Sequence, residues 1–269
     1  MSAPSSLPAR LARRATEALI LRDLRRSFRR VVWIGDGPES PLESLSPPHG
    51  GAENPAQPRR GVLPRFVVEL PQNRPVVLYA NHHSFYDGYL LWLLVRRVLG
   101  RPPVLWMERL QQAPLFGPVG ALAFPPDDDR QRFRTIRETA RRLREEPQTI
   151  LLFFPEGKLR APDLGLGPFQ TDFRQLARLL PDNTLWWPVA LRATWWGEDR
   201  PTALVTSGNP LETPSGHERD DIQTLLDDLG NVSPAIMQEG GARLLLSGRR
   251  SAEERWDLSR LAPLFRRWT

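Results

Sequence analysis

The stretch VVLYANHHSFYDGYLLWLL, residues 76–94, sets the fold of this 269-residue chain. It begins with a short apolar run, continues through a polar segment with two adjacent histidines, and ends in a leucine-rich run. Short β-branched and apolar runs are typical of buried strands, and the last run predicts a helix that closes at Gly100. The polar segment therefore follows a strand and precedes a helix, which is where α/β sheets build their sites.

The rest of the chain repeats this alternation. Further strands are predicted over residues 62–70, 75–80, 103–107, 149–154, 184–196 and 202–208. Residues 127–146 predict a helix with acidic residues at its start, and residues 216–246 predict a helical C-terminal region. In the first of these helices we expect Phe133, Ile136, Ala140 and Leu143 to face inward. Strands that alternate with helices predict an α/β fold with a mostly parallel central sheet flanked by helices.

Composition limits the classes of protein to which the chain can belong. Hydrophobic residues make up 40% of the chain, which is enough for a core, and the absence of cysteine excludes disulfides and thiolate sites. We find no secretory signal and no apolar run long enough to span a bilayer, so we expect a soluble or peripheral protein in a reducing compartment. Eight arginines and two acidic residues between Arg10 and Arg30 account for the whole net charge of +6, which argues against a general nucleic-acid surface.

Charge and composition together divide the chain into three parts. Residues 1–35 contain an amphipathic basic helix predicted over residues 7–34, with an apolar stripe at Leu7, Leu11, Ala18, Leu21, Leu24, Phe28 and Val31. Residues 36–61 are a Pro/Gly-rich linker or loop, and residues 62–269 form the main domain. The helix packs on this domain, lies on an anionic membrane or does both; nucleic acid or a partner protein is the remaining alternative. For the second case we expect Leu21, Leu24 and Phe28 to insert and the arginines to reach phosphates.

The polar segment NHHSFYD, residues 81–87, contains a candidate catalytic pair. A histidine needs an orienting carboxylate to act as a general base, because the second ring nitrogen must hold its proton in a fixed tautomer. Five residues separate His82 from Asp87, and a loop with a first helical turn brings them together, with His83 pointing elsewhere. Taken alone, the spacing also fits a structural histidine. A metal site is disfavoured, because no third ligand lies at a recognisable spacing.

A second polar segment, FPEGKLR, follows the apolar strand at residues 149–154. Glu156 at the end of that strand, flexible Gly157, and the cations Lys158 and Arg160 predict the floor of a polar pocket. The carboxylate would bind a hydroxyl and the cations an anion. The alternative is a turn with a solvated glutamate.

Together the two segments resemble the glycerolipid acyltransferase family, the lysophosphatidic-acid acyltransferase-like group. Its Asn-His-x-Ser-x-x-Asp motif is matched by Asn81, His82, Ser84 and Asp87, and its Phe-Pro-Glu-Gly motif by Phe154, Pro155, Glu156 and Gly157. Less specific features of the family are matched between and after these motifs by Arg109, Leu110, Pro114, Gly117, Gly120, Phe124 and Pro188. The resemblance covers roughly residues 62–212.

The resemblance implies an O-acyltransferase of phospholipid biosynthesis. His82 would take the proton of an acceptor hydroxyl as it attacks an acyl thioester, and Asp87 would orient His82. Backbone N–H groups near Gly157 or after Asn81 would stabilise the oxyanion. The donor would be acyl-CoA or an acyl carrier protein, the acceptor a lipid, and no metal or other cofactor is expected. An acyl groove would be lined by some of the aromatics Trp92, Trp106, Trp186, Trp187, Trp195 and Trp196.

Two departures from the family concern the acceptor. The arginine that follows the family's Phe is missing from FPPDDD, with Arg130 a displaced candidate, and Lys158-Leu159-Arg160 replaces Thr-Arg-Ser. A lysophospholipid-like acceptor therefore competes with a non-glycerolipid alcohol such as a hydroxylated or glycosylated terpenoid. The alternatives from other classes are an inactive lipid-binding homologue and a hydrolase. We expect a cytoplasmic enzyme, peripheral on the inner face of the membrane.

Overall fold

The computed structural model describes residues 7–35, residues 70–249 and residue 252. Two predicted segments lie outside these ranges: the linker over residues 36–61, and the strand over residues 62–70 except for Leu70. The strands are β1 Arg30–Ile34, β2 Val76–Ala80, β3 Pro103–Met107, β4 Ala121–Ala123, β5 Ile150–Phe153, β6 Leu185–Thr194, β7 Thr202–Ser207 and β8 Ala242–Ser247. The helices are α1 Leu7–Ser27, α2 Asp87–Trp92, α3 Asp129–Glu145, α4 Phe173–Ala177, α5 Glu218–Gly230 and α6 Ile236–Glu239. A π-helical segment, Leu93–Val98, extends α2, and short 3₁₀ turns cover Leu110–Gln112, Pro114–Val119 and Pro162–Leu164.

The strands form one eight-stranded sheet in the order β4-β3-β5-β2-β6-β7-β1-β8. Only two neighbouring pairs, β6 with β7 and β1 with β8, are antiparallel. Strand β2 lies between β5 and β6, parallel to both, and all five of its residues are buried. A strand covered on both faces needs a continuous apolar run, which VVLYA supplies. The predicted α/β fold with a mostly parallel sheet is confirmed.

Helices cover both faces of the sheet. Side chains alternate along β2, so Val76, Leu78 and Ala80 face one core and Val77 and Tyr79 face the other. The first core lies under α1 and α2, and the second lies under α3, α4 and α5. Each layer therefore buries one stripe of its helices against the sheet.

Helix α1 is a packed part of this fold. It ends at Ser27 instead of reaching residue 34, and β1 pairs with β7 and β8. Leu24 and Phe28 are fully buried in the first core, with Leu21 packed against it. The expectation that these three side chains insert into a membrane is therefore wrong, because they already face the sheet. Within the described ranges, no helix has the length and apolar character needed to cross a bilayer.

Two other expectations are corrected by tertiary contacts. Phe133 is 54% exposed, and the inward positions of α3 are taken by Thr135 and Thr139 together with the predicted Ala140 and Leu143. Both threonines fit there because their hydroxyls donate to carbonyl oxygens, those of Ala123 and Thr135. The end of the predicted helical C-terminal region is strand β8, because it completes the sheet beside β1.

Arg101 joins the loops at the amino-terminal end of the strands. It is 1% exposed, and its guanidinium donates to four carbonyl oxygens, those of Pro71, Arg74, Pro147 and Gln148. Burial lowers the pKa of this side chain to about 10. Nothing in the sequence marks Arg101 apart from the other arginines, because its role depends on carbonyls that are distant along the chain.

We predict that Arg101→Met lowers the free energy of unfolding by about 2 kcal/mol or more, since buried carbonyls lose their donor. Urea unfolding followed by circular dichroism measures this loss. Arg97→Met is the matched control, because Arg97 is exposed on the neighbouring π-helical segment. Equal unfolding free energies for the two variants would contradict the assigned role.

Candidate active site

The two polar motifs meet at one edge of the sheet. The loop 81–86 follows β2, and Phe154-Pro155-Glu156-Gly157 follows β5. Because β2 and β5 are parallel neighbours, their carboxyl ends lie side by side. The sheet order therefore brings together segments that are about 70 residues apart in sequence.

His82 and Asp87 form the predicted pair. His82 Nδ1 lies 3.1 Å from Asp87 Oδ2, and Asp87 is buried in the first turn of α2. The same oxygen accepts the backbone N–H groups of His83 and Ser84, each at 2.7 Å. With Nδ1–H donated to the carboxylate, the lone pair of the imidazole resides on Nε2, the tautomer that a general base requires.

The plane of the His82 ring is fixed by a second contact. Phe154 stacks on it with 4.3 Å between ring centroids and an interplanar angle of 19°. The hydrogen bond to Asp87 sets the rotation of the imidazole, and the stacked phenyl ring sets its tilt. One residue from each motif therefore holds the histidine.

Glu156 links the two motifs through the backbone. It is buried, its Oε1 accepts the N–H of His82 at 2.8 Å, and its Oε2 accepts the N–H of Gly167 at 2.8 Å. The carbonyl of His82 in turn accepts the N–H of Arg160 at 2.9 Å. The carboxylate expected to bind a substrate hydroxyl is thus engaged with the protein's own backbone, and its contact with substrate stays a prediction.

Other residues of the motifs also contact backbone. The Asn81 amide pairs with both the N–H and the carbonyl of Leu191 on β6, at 2.8 and 2.9 Å. Ser84 Oγ accepts the N–H of Tyr86. Pro155 is buried, and exposed Gly157 turns the chain with a φ of 63° that other residues rarely adopt. These contacts hold the loops in shape, and a direct role in binding substrate stays a prediction.

The expected oxyanion donors are also occupied. The N–H groups of His82, His83 and Ser84 donate to Glu156 and Asp87, and the N–H of Gly157 donates to Phe154 O at 3.0 Å. The described structure therefore uses these groups to build the loops.

The predicted cations are spread around the site. Arg160 Nε donates to the carbonyl of Gly165 at 3.0 Å, so this side chain closes its own loop. Lys158 and Arg130 are exposed, and Arg109 is exposed beside Glu108, 3.4 Å away. Within the described ranges, none of the four forms a hydrogen bond or ion pair with the side chain of His82 or Asp87.

An apolar cavity of about 200 Å³ opens beside the histidine. It is lined by Ile20, His82, Phe85, Gly88, Tyr89, Trp92, Pro103, Leu105, Trp106, Met107, Glu108, Phe116, Val119, Ala121, Leu152 and Phe154. Of the six tryptophans considered for such a groove, Trp92 and Trp106 line it, whereas Trp186 and Trp187 are core residues. We call this space the acyl-sized pocket, because its apolar walls suit an alkyl chain.

Metal ligation is a separate question for adjacent histidines. His83 Nε2 is buried and has no hydrogen-bond partner in the described part of the chain. No group of three or more His, Cys, Asp or Glu side chains within those residues is arranged to hold a metal ion.

We predict that Glu156→Gln destabilises the fold by about 1–3 kcal/mol, because an amide offers one acceptor oxygen to two buried N–H groups. Chemical denaturation measures the change, with Glu239→Gln, at an exposed glutamate, as the control. Unchanged stability in Glu156→Gln would show that these backbone bonds contribute little.

Comparison with known proteins supports the resemblance drawn from the two motifs. Residues 65–192 match the sequence model of the family described as Acyltransferase, and this segment contains both motifs. The predicted family resemblance is therefore confirmed. A search of curated proteins found no match to the chain.

Proposed function

Starting from the acyltransferase family match of residues 65–192, we propose that this protein transfers a fatty acyl group from an acyl thioester to a hydroxyl of a lipid acceptor. The thioester is acyl-CoA or an acylated carrier protein, and a lysophospholipid-like molecule is the favoured acceptor. The observation that carries this proposal is the 3.1 Å contact between His82 Nδ1 and Asp87 Oδ2 beside the acyl-sized pocket.

The chemistry follows from that contact. The acceptor hydroxyl attacks the thioester carbonyl while His82 Nε2 takes its proton, so that a C–O bond forms and the C–S bond breaks. The imidazolium then returns the proton to the departing thiolate. Asp87 holds the productive tautomer and stabilises the imidazolium by its charge. The nucleophile is the substrate's own hydroxyl, and the proposal uses no metal or other cofactor.

The acceptor's head group is the less constrained part of the proposal. Arg160 is engaged with a loop carbonyl, whereas Lys158 is exposed at the carboxyl end of β5. The ammonium group of an exposed lysine is a weaker phosphate clamp than the forked guanidinium that the family resemblance leads one to expect. This observation keeps a non-glycerolipid alcohol, such as a hydroxylated or glycosylated terpenoid, as the alternative acceptor.

We predict that His82→Ala lowers the acceptor-dependent release of thiol by about 10²–10⁴-fold, because the general base is lost. Asp87→Asn should also inactivate, since a neutral amide loses the charge that stabilises the imidazolium and allows His82 to take the wrong tautomer. Thiol release from an acyl thioester is measured with lysophosphatidate and with a prenyl alcohol as acceptors, and circular dichroism checks the fold.

His83→Ala is the matched control, because its side chain makes no contact with Asp87 and only its backbone N–H does. An active His82→Ala together with an inactive His83→Ala would refute the assignment of the base. Thiol release without any acceptor would indicate a hydrolase instead, and no release with any donor would indicate an inactive lipid-binding homologue.

We also propose that the enzyme works at the anionic inner face of the cytoplasmic membrane. The support is the start of α1, where Leu7 is 72% exposed and Leu11 is 57% exposed. Arg14, three residues after Leu11 on the same helix, is also exposed. Leu115, which is 44% exposed, adjoins this surface through a hydrogen bond from Thr16 to its carbonyl. Apolar side chains surrounded by arginines suit a surface of acidic lipid head groups.

We predict that Leu7→Glu/Leu11→Glu weakens binding to anionic vesicles by at least about tenfold, since two inserted leucines are replaced by charges that acidic lipids repel. Co-sedimentation at several salt concentrations measures the binding. Leu244→Glu is the control, because Leu244 is similarly exposed on β8. Point variants are preferable to truncation, because removing residues 1–35 would also remove β1 and core residues of α1. Equal binding by the double variant and the control would remove α1 from the membrane role.

A further inference from the structure

Helix α3 has a basic outer surface. Its 17 residues include seven arginines and three acidic residues, so the helix carries a net charge of +4. Four exposed arginines recur at intervals of three and four residues and therefore form one stripe along the helix: Arg134, Arg137, Arg141 and Arg144. Arg141 is paired with Glu138 and Glu145 of the same helix. Among the described residues, the other three arginines of the stripe form no ion pair.

The basic stripe lies in a groove of about 660 Å³ that also contains exposed apolar side chains. Phe133 is 54% exposed, and Leu179, which follows α4, is 44% exposed. The guanidinium of Arg137 lies 5.9 Å from the centroid of the Phe133 ring. Exposed aromatic and leucine side chains beside arginines are typical of protein–protein interfaces.

Helix α5 carries the opposite charge on the same face of the sheet. Its 13 residues include five acidic residues and one arginine, so its net charge is −4. Three of the acidic side chains are exposed: Asp220, Asp227 and Asp228. Arg219, the one arginine, donates to backbone carbonyls of a neighbouring loop. Both α3 and α5 pack on the second core, so their charged outer surfaces face away from the sheet in the same direction.

The charged stripes of the two helices have the same spacing. Exposed side chains follow the pattern i, i+4, i+7 in both: Arg137, Arg141 and Arg144 on α3, and Asp220, Thr224 and Asp227 on α5. The outer positions of each stripe are therefore about 10 Å apart along the helix. The middle position of α3 is already paired within its own helix, and the middle position of α5 is uncharged. The stripes thus match in sign and in spacing for either relative direction of the helices.

The two stripes lie apart within one copy of the chain. Helix α3 lies over β3 and β4, where Thr135 and Thr139 make their hydrogen bonds, and α5 packs against β6 and β7. Strands β5 and β2 separate these pairs, and α4 covers them, since Phe173 packs on Tyr79 and Phe153. Strands β3 and β6 are three spacings apart, about 14 Å.

A second copy can bring the stripes together. A two-fold axis that lies between two facing helix layers exchanges the two sides of the layer. It places α5 of one copy opposite α3 of the other, and the reverse contact follows from the symmetry. The contact therefore forms twice and leaves no unmatched stripe that could recruit a third copy.

We propose that the face formed by α3, α4 and α5 is the interface of a symmetric dimer of this chain. Arg137 and Arg144 of each copy pair with Asp220 and Asp227 of the other. Exposed ion pairs contribute little free energy each, so the covered apolar side chains of the groove supply affinity and the charges set the alignment. The inference is independent of the proposed acyl transfer.

Sedimentation equilibrium of the full-length protein over a range of concentrations tests the dimer. We expect a monomer–dimer equilibrium at low salt, with a dissociation constant at least about tenfold higher in about 1 M salt, where charges are screened within about 3 Å. A wild-type protein that stays monomeric at every concentration would overturn the inference.

Charge reversal locates the contact. Arg137→Glu/Arg144→Glu and Asp220→Arg/Asp227→Arg should each weaken dimerisation by at least about tenfold, because like charges then face each other. The variant with all four substitutions restores opposite charges at every pair and keeps the net charge of the wild type. Its dissociation constant should return to within about threefold of the wild-type value.

Arg22→Glu/Arg97→Glu is the matched control, because it makes the same change in net charge at exposed positions on the opposite face of the sheet. It should dimerise like the wild type, and circular dichroism checks the fold of every variant. A dimer that survives either double reversal would refute this interface. A folded fourfold variant that stays monomeric would do the same, and so would a control that dissociates as readily as the reversals.

Discussion

One carboxylate oxygen organises the candidate site. Oδ2 of Asp87 accepts the N–H groups of His83 and Ser84 and lies 3.1 Å from Nδ1 of His82. The side chain is buried at the first residue of α2, where a negative charge also complements the helix dipole. The same interaction therefore starts the helix, shapes the loop after β2 and selects the tautomer of the histidine. The shape of the loop and the orientation of the proposed base therefore depend on the same oxygen atom.

The second motif reinforces this arrangement from the neighbouring strand. Glu156 accepts the backbone N–H of His82, and Phe154 stacks on its ring. Motif residues that the sequence suggested as substrate ligands thus mainly contact other groups of the protein. Their contacts hold the histidine beside an apolar pocket, and a base held in this way, as we propose for His82, needs little reorganisation during a reaction.

Helix α1 contributes to the core, to the lining of cavities and to the exposed surface, and its sequence does not separate these contributions. Leu24 and Phe28 cover the sheet, Ile20 lines the acyl-sized pocket, and Arg13 lines a neighbouring cavity. Its exposed first turns are the part that we propose contacts a membrane. The arginines that dominate the net charge are consequently divided between the protein's own cavities and its surface, although they follow one another closely in the chain.

The sequence by itself determined the α/β class, the mostly parallel sheet and the resemblance to the acyltransferase family, and it predicted the pairing of His82 with Asp87, because each follows from local spacing or from a contiguous motif. It also predicted most strands, since buried parallel strands are continuous apolar runs. It did not place β1, β4, β8 or the inward threonines of α3, and it could not tell that Leu24 packs on protein. It likewise gave no sign that Glu156 binds backbone, that Arg101 joins four carbonyls, or that Arg13, Arg96 and Arg142 line one cavity. Only the tertiary structure decided these, because each depends on partners that the sheet order brings together from distant parts of the chain. An apolar stripe or a charged side chain is compatible with either protein or solvent until those partners are fixed.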